Sequence, residues 1–195
     1  LVDIELPQMR CEQITFGSFN NVSKITLMVI KTWSKILDAV PKSRLILKLQ
    51  KPDSNTAYYH ELFMREGIAK ERIEFFQRSP GIEEHLRLYN AIDISLDPFP
   101  YNGATTTCEA LWMGVPVITL LGDRHVGRVG ASILTNVGLT DFIAHDINGY
   151  IELAVRMSAN TKYLMEIRAG LRERMKNSPL CDAISFAGDV ETAYQ

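Results

Sequence analysis

The chain is poor in cysteine, in charge of one sign, in long apolar runs and in the common catalytic signatures. Its three cysteines (Cys11, Cys108, Cys181) are odd in number, far apart and without a C-x-x-C pair. That argues against a disulfide scaffold and a zinc knuckle and favours a reduced, cytoplasmic setting. The formal net charge of -2 leaves no basic excess for nucleic acid or an anionic membrane surface. No run approaches the roughly 18 apolar residues of a membrane span. Residues Leu1 to Pro7 lack the basic-then-apolar grammar of a signal peptide. H-E-x-x-H is missing, so no metal site is indicated. The missing G-x-G-x-x-G and P-loop patterns speak against a nicotinamide dehydrogenase and a kinase-like NTPase. The missing G-x-S-x-G removes the nucleophile elbow. There is no internal repeat, no low-complexity segment and no TPR-like periodicity.

What is present is a globular composition, 46% hydrophobic and 23% charged, in 195 residues, room for one ordinary domain. The chain opens at Leu1 without Met, and the expectation is a piece of something longer. Apolar runs alternate with amphipathic stretches. Strands are expected at 14–19, 44–49, 72–76, 92–96 and 115–121. Helices are expected at 26–40, 57–66, 82–89 and 106–113, with Pro41, Gly67 and Gly114 as stops and a polar loop at Lys51–Thr56. From Val126 onward the pattern is helical, at 126–136, 147–159, 162–176 and 183–193. Strands separated by helices imply a parallel sheet covered on both faces. The expectation is a Rossmann-like, doubly wound α/β domain, with an α/β core over 12–125 and a mainly helical end over 126–195.

Ligands of such sheets sit beyond the carboxyl ends of the strands, on loops leading into helix N-termini. Three loops carry candidate chemistry. In Asn20-Asn21-Val22-Ser23-Lys24, Lys24 offers a cation for phosphate with amide side chains beside it; spacing alone favours a solvated lysine. In Asp97 to Glu109, a Pro-rich bend, an Asn-Gly pair and three threonines open a helix, a natural seat for a diphosphate. The competing explanation is a capping box, Thr106-x-x-Glu109, which needs no ligand but leaves Thr105, Thr107 and Asn-Gly unexplained. In Ser79-Pro80-Gly81-Ile82-Glu83-Glu84-His85, a helix-borne imidazole faces the crevice, although such a histidine is more often a packing residue.

Three strings, Phe16–Ile25, Asp97–Pro116 and Gly122–Ser132, resemble the C-terminal catalytic lobe of the protein O-linked N-acetylglucosamine transferases, in the bacterial TPR-linked and SPINDLY-like branch. Ser178-Pro179-Leu180-Cys181 is also similar to that branch, and the resemblance runs from about residue 12 to the end. It implies the sugar-nucleotide-binding lobe, 1–195, of a GT-B glycosyltransferase. By matching positions, Lys24 would neutralise the leaving diphosphate with Asn21 beside it. Ser79 and Pro80 would meet the base edge, and His85 would stack on the base. Ala104, Thr105 and Thr106 would hold the phosphates, and Glu109 would reach the ribose. Some members carry His at the Ala104 position, Asp at the Glu109 position and a ribose-contacting Lys where this chain has Ile82. These departures leave base and sugar preference open between UDP-N-acetylglucosamine, the default donor, and a GDP-sugar such as the GDP-fucose of SPINDLY-like relatives.

The resemblance implies no cofactor and no metal, with lysine and helix N–H groups stabilising the leaving group. It also implies a protein or peptide Ser/Thr acceptor, reached through an N-terminal lobe and TPR repeats outside these residues, and no transfer by this chain alone. Two other readings stand beside it. One is a nucleotide-binding or scaffolding module without catalysis. The other is an unrelated GT-B enzyme, such as an epimerase or a lipid-linked transferase, against which the Asn-Gly-Ala-Thr-Thr-Thr-Cys-Glu string argues.

Overall fold

A computed structural model describes residues 5–11, 13–49 and 56–194. Most of the polar loop expected at Lys51–Thr56 therefore lies outside the described residues. A one-turn helix α1 (Pro7–Cys11) leads into β1 (Thr15–Ser18), followed by α2 (Leu27–Ala39), β2 (Arg44–Lys48) and α3 (Thr56–Arg65). Then come β3 (Ile73–Phe76), α4 (Ile82–Arg87), β4 (Ile94–Leu96), α5 (Thr105–Trp112) and β5 (Val117–Leu120). The chain ends with α6 (Val129–Asn136), β6 (Ile143–Ala144), α7 (Ile147–Ser158), α8 (Thr161–Lys176) and α9 (Ala183–Ala193).

Local signals explain these elements. Thr26 caps α2 by accepting the Val29 N–H at 3.3 Å, and Val29, Ile30, Trp33, Ile36 and Leu37 form its buried face. Gly114, at φ 79, takes the left-handed turn that ends the α5 segment and sends the chain into β5. Asp146 and Asn160 cap α7 and α8 through the N–H groups of Gly149 and Tyr163. The strands read as apolar blocks because both faces of the sheet are covered. Helix α2 packs against α7, and α5 against α8. Phe16, Leu45, Leu47, Ile94 and Ile118 are buried between these layers.

All six strands are parallel, in the order β3-β2-β1-β4-β5-β6. The order reverses between β1 and β4, so the helices that follow these two strands cross to opposite faces of the sheet and a crevice opens at the strand ends.

Four features depart from the sequence reading. Helix α1 was not expected. The helix expected at 82–89 closes as α4 and gives way to a 3-10 turn at Leu88–Ala91. Residues His125–Gly127 form a 3-10 turn before α6 begins. The mainly helical end also contributes β6 to the sheet, because Ile143 and Ala144 pair with Thr119 and Leu120. Among the described residues no helix is long and apolar enough to cross a membrane.

Candidate functional site

The loop after β1 and the loop after β4 meet at the crevice. Asn20 is buried, and its Oδ1 accepts the Thr106 hydroxyl at 2.8 Å, which ties the first loop to the first turn of α5. Lys24 lies in a 3-10 turn, Val22–Lys24. Its Nζ donates to the Asn102 carbonyl at 2.9 Å and sits 4.2 Å from the centre of the Tyr101 ring. Burial pulls the Lys24 pKa down, and the Asp97 charge opposes that shift. Asn21 turns its Oδ1 to the Ser23 N–H at 3.0 Å, so that oxygen caps the 3-10 turn. The amide built into the crevice is Asn20, its neighbour.

The capping-box explanation of α5 fails. The N-cap is Ala104, and among the described residues no side chain caps the helix. Thr106 spends its hydroxyl on Asn20, and Glu109 lies a full turn inside the helix, bonded to His85 and Tyr89. The first N–H groups of α5 thus lack a side-chain acceptor at the positive end of the helix dipole. Thr107 Oγ1 is also buried and, among the described residues, without a partner.

A buried acid braces the loop that presents this helix end. Asp97 Oδ1 accepts the Gly103 N–H at 2.6 Å and Oδ2 the Thr119 hydroxyl at 2.7 Å. Its backbone carbonyl accepts the Tyr150 hydroxyl at 3.0 Å. Burial raises the Asp97 pKa to about 7, against the two hydrogen bonds and the Lys24 charge. Asn102 holds the same loop by donating to the Pro98 carbonyl at 3.1 Å. Helix α6 approaches so closely that a Cβ on Gly130 would lie 2.2 Å from Thr119 Oγ1 and 2.6 Å from Asp97 Oδ2.

Two cavities open here and share Thr106. One, of about 410 Å3, is lined by Asn20, Asn21, Lys24, Tyr101, Asn102, Ala104, Thr105, Thr106, His125, Val126 and Val129. The other, of about 370 Å3, is lined by Phe19, Lys48, Arg78, Ser79, Pro80, Gly81, Ile82, His85, Thr106 and Glu109. The structure therefore brings every expected site residue to one of two adjoining compartments. Lys24, Asn21, Ala104 and Thr105 line the first, Ser79, Pro80, His85 and Glu109 the second, and Thr106 both.

In the second compartment both nitrogens of His85 are engaged. Nδ1 faces the Lys48 ammonium, and Nε2 lies 2.8 Å from Glu109 Oε2. The buried Tyr89 hydroxyl donates to the same oxygen at 3.0 Å. What His85 can still offer a ligand is a ring face. Sequence reasoning missed Lys48, Tyr89 and Asp97, and gave Asn20 only as one of two amides beside Lys24. Lys48 read as part of the apolar strand expected at 44–49 and Tyr89 as the last residue of the helix expected at 82–89. Among the described residues there is no group of three or more His, Cys, Asp or Glu side chains able to hold a metal.

Residues 4–190 match glycosyl transferase family 41. The chain is 42% identical over 185 residues to a tomato (Solanum lycopersicum) protein named as a probable UDP-N-acetylglucosamine–peptide N-acetylglucosaminyltransferase, SPINDLY, covering 93% of this chain and 20% of that one. It is 31% identical to a Caenorhabditis elegans UDP-N-acetylglucosamine–peptide N-acetylglucosaminyltransferase, covering 94% of this chain and 16% of that one. A mutant of the Thermobaculum terrenum O-GlcNAc transferase superposes with a TM-score of 0.86 at 36% identity, covering 93% of this chain and 35% of the other. At 14% identity, Anabaena HepE, solved with UDP and glucose, shares the fold with a TM-score of 0.64, covering 95% of this chain and 51% of that one. The chain spans about a fifth of the length of the tomato relative. A doubly wound sheet with two adjoining cavities at its switch point, matched over residues 4–190, places this chain in glycosyl transferase family 41.

Proposed function

We propose that this chain is the donor-binding half of a metal-independent glycosyltransferase. The longer protein would move a sugar, N-acetylglucosamine by default, from a nucleoside diphosphate to Ser or Thr of a protein acceptor. The observation that carries this reading is the N-terminus of α5, which no side chain caps and which shares a cavity with the Lys24 ammonium. A diphosphate seated there would satisfy the helix N–H groups and the lysine together. The same groups would stabilise the charge that develops on the leaving diphosphate in the transition state. The nucleoside would occupy the second cavity, with Ser79 and Pro80 at the base edge, His85 under the base and Glu109 at the ribose. Acceptor binding and any general base belong to parts of the longer relatives that these residues do not include. The reading carries no nucleic-acid or membrane partner and places the protein in the cytoplasm.

Calorimetric titration of the chain with UDP, GDP and their sugar conjugates tests this. The expected result is binding that survives EDTA, and the stronger nucleotide names the donor class. Binding abolished by the chelator would overturn metal independence. A labelled-sugar assay with the chain alone should show no transfer to peptide. Positioning of the acceptor supplies about 7–11 kcal/mol of barrier reduction, and nothing here provides it. Robust turnover would place an acceptor site within these residues.

A further inference from the structure

The least expected side chain in the second cavity is Lys48. It ends β2 beside Phe76 of β3, is 5% exposed, and still carries its ammonium to a ligand-sized space. Burying a cation is costly unless its donors are used, so a lysine kept here needs a reason. Its recorded partner is His85 Nδ1. An ammonium has donors only, which makes Nδ1 the acceptor and leaves the ring proton on Nε2, aimed at Glu109 Oε2. Tyr89 donates to that same oxygen from the other side. Both bonds fall on Oε2, and among the described residues Oε1 accepts none.

We propose that Lys48 is a positioning residue for the nucleoside. Acting through His85, it fixes the imidazole tautomer and so turns the Glu109 carboxylate to offer Oε1 to the vicinal hydroxyls of a ribose. The inference rests on the proposed nucleotide-binding function and adds to it a dependence on the sugar hydroxyls of the nucleotide, set by a residue that need not touch the ligand. A histidine left to itself would choose between tautomers, and one of them would present a lone pair to the carboxylate and repel it. The charge of Lys48 also offsets that of Glu109 across the ring, since the carboxylate holds the Lys48 pKa up against the burial that lowers it.

The test compares UDP and GDP with their 2′-deoxy and 3′-deoxy forms by calorimetry on the 195-residue chain, with inorganic pyrophosphate as control. The wild-type chain should prefer the ribose forms by about tenfold, the scale of one well-made hydrogen bond to a charged group. Lys48→Met, close to lysine in shape, should shrink that preference to within about threefold and leave pyrophosphate binding unchanged. Glu109→Gln should do the same, and the double variant should lose no more than either single one, as expected for groups acting through one another. A ribose preference intact in Lys48→Met overturns this inference and leaves the proposed function standing. Failure of the wild-type chain to bind any nucleotide overturns both. Nitrogen-15 NMR of the wild-type histidines gives a check that needs no variant: the proton on Nδ1 of His85, in place of Nε2, also overturns the inference.

Discussion

The two cavities meet at Thr106 but are held open by different means. The one beside Lys24 is framed by backbone: a helix end, the Asn102 carbonyl, and a loop pinned to the buried Asp97. The one beside His85 is framed by side chains joined to one another, Lys48 to His85 to Glu109 to Tyr89. The first still has spare donors, the N–H groups opening α5, which no described side chain caps. In the second, the linked side chains meet on Glu109 Oε2 and, among the described residues, leave Oε1 without a donor. A backbone cradle with spare donors suits an anion whose shape is constant, whereas a side-chain network suits the part of a ligand that must be discriminated.

The largest expected effect lies under the backbone cradle. Asp97 binds its proton more tightly in the folded chain, with a pKa near 7, than when unfolded, near the ordinary 3.8. Its contribution to stability is therefore greatest below about pH 4 and is lost as the pH rises through 7. The loss is on the order of 4 kcal/mol for a shift of this size. Asp97→Asn keeps an acceptor for Gly103 and does not titrate. Its thermal midpoint should gain on the wild type between pH 4 and 7, and parallel pH profiles would show that Asp97 stays ionised throughout. Asp93, whose pKa burial raises to about 6, keeps a smaller slope of the same sign in both chains.

Next is Lys24→Ala, expected to weaken UDP or GDP binding by roughly 1.5–3 kcal/mol with little change in the thermal midpoint. A large stability loss with unchanged affinity would mean that the lysine only holds the loop through the Asn102 carbonyl.

The two compartments can then be set against each other through Gly103, in the loop that frames the first, and Gly81, which lines the second. A Cβ at Gly103 would meet Thr106 Oγ1 at 2.6 Å, and Asn20 Oδ1 and Thr107 Oγ1 at 2.8 Å. Thr106 and Asn20 are locked by their mutual bond, so Gly103→Ala should cost about 1–3 kcal/mol in stability and disturb diphosphate binding. A Cβ at Gly81 would meet only the tip of the exposed Glu84, at 2.7 Å for Oε2, which can swing away. Gly81→Ala should change neither property measurably, and equal effects at the two glycines would erase the distinction between the cavities.

A small effect is expected at Thr107. Its buried hydroxyl has no partner, so Thr107→Val should leave stability unchanged or raise it by about 1 kcal/mol in the empty chain. A fall in the thermal midpoint would reveal an unseen partner.

The sequence made the alternation of strands and helices legible because short apolar blocks alternate with amphipathic stretches bounded by helix stops. It hid β6 because two residues, Ile143 and Ala144, are too few to show a period. The loops around Lys24 and Thr105 stood out through their Asn, Gly and Thr content. Of two adjacent amides, however, nothing in the string says that Asn20 turns inward while Asn21 caps its own turn. The Thr106-x-x-Glu109 pattern matched a local motif that the helix does not use, because α5 starts one residue before Thr106. Lys48 was hidden for a different reason: its partner lies 37 residues away and exists only once β2 and α4 are side by side.

That separation has a consequence for how the chain acquires its site. The bond between Asn20 and Thr106 spans 86 residues, and the one between Lys24 and Asn102 spans 78. Neither compartment exists until strands from both halves of the sheet have docked, so a nascent chain holding only β1 to β3 has nothing to offer a nucleotide. Contacts this distant are slow to form, because loop closure must come first. A ligand seated across the join would act as a latch on the finished domain, adding about 2.7 kcal/mol at roughly a hundredfold excess over Kd. With a nucleotide as that ligand, its abundance would then set what fraction of the domain is folded, as well as how often its site is filled.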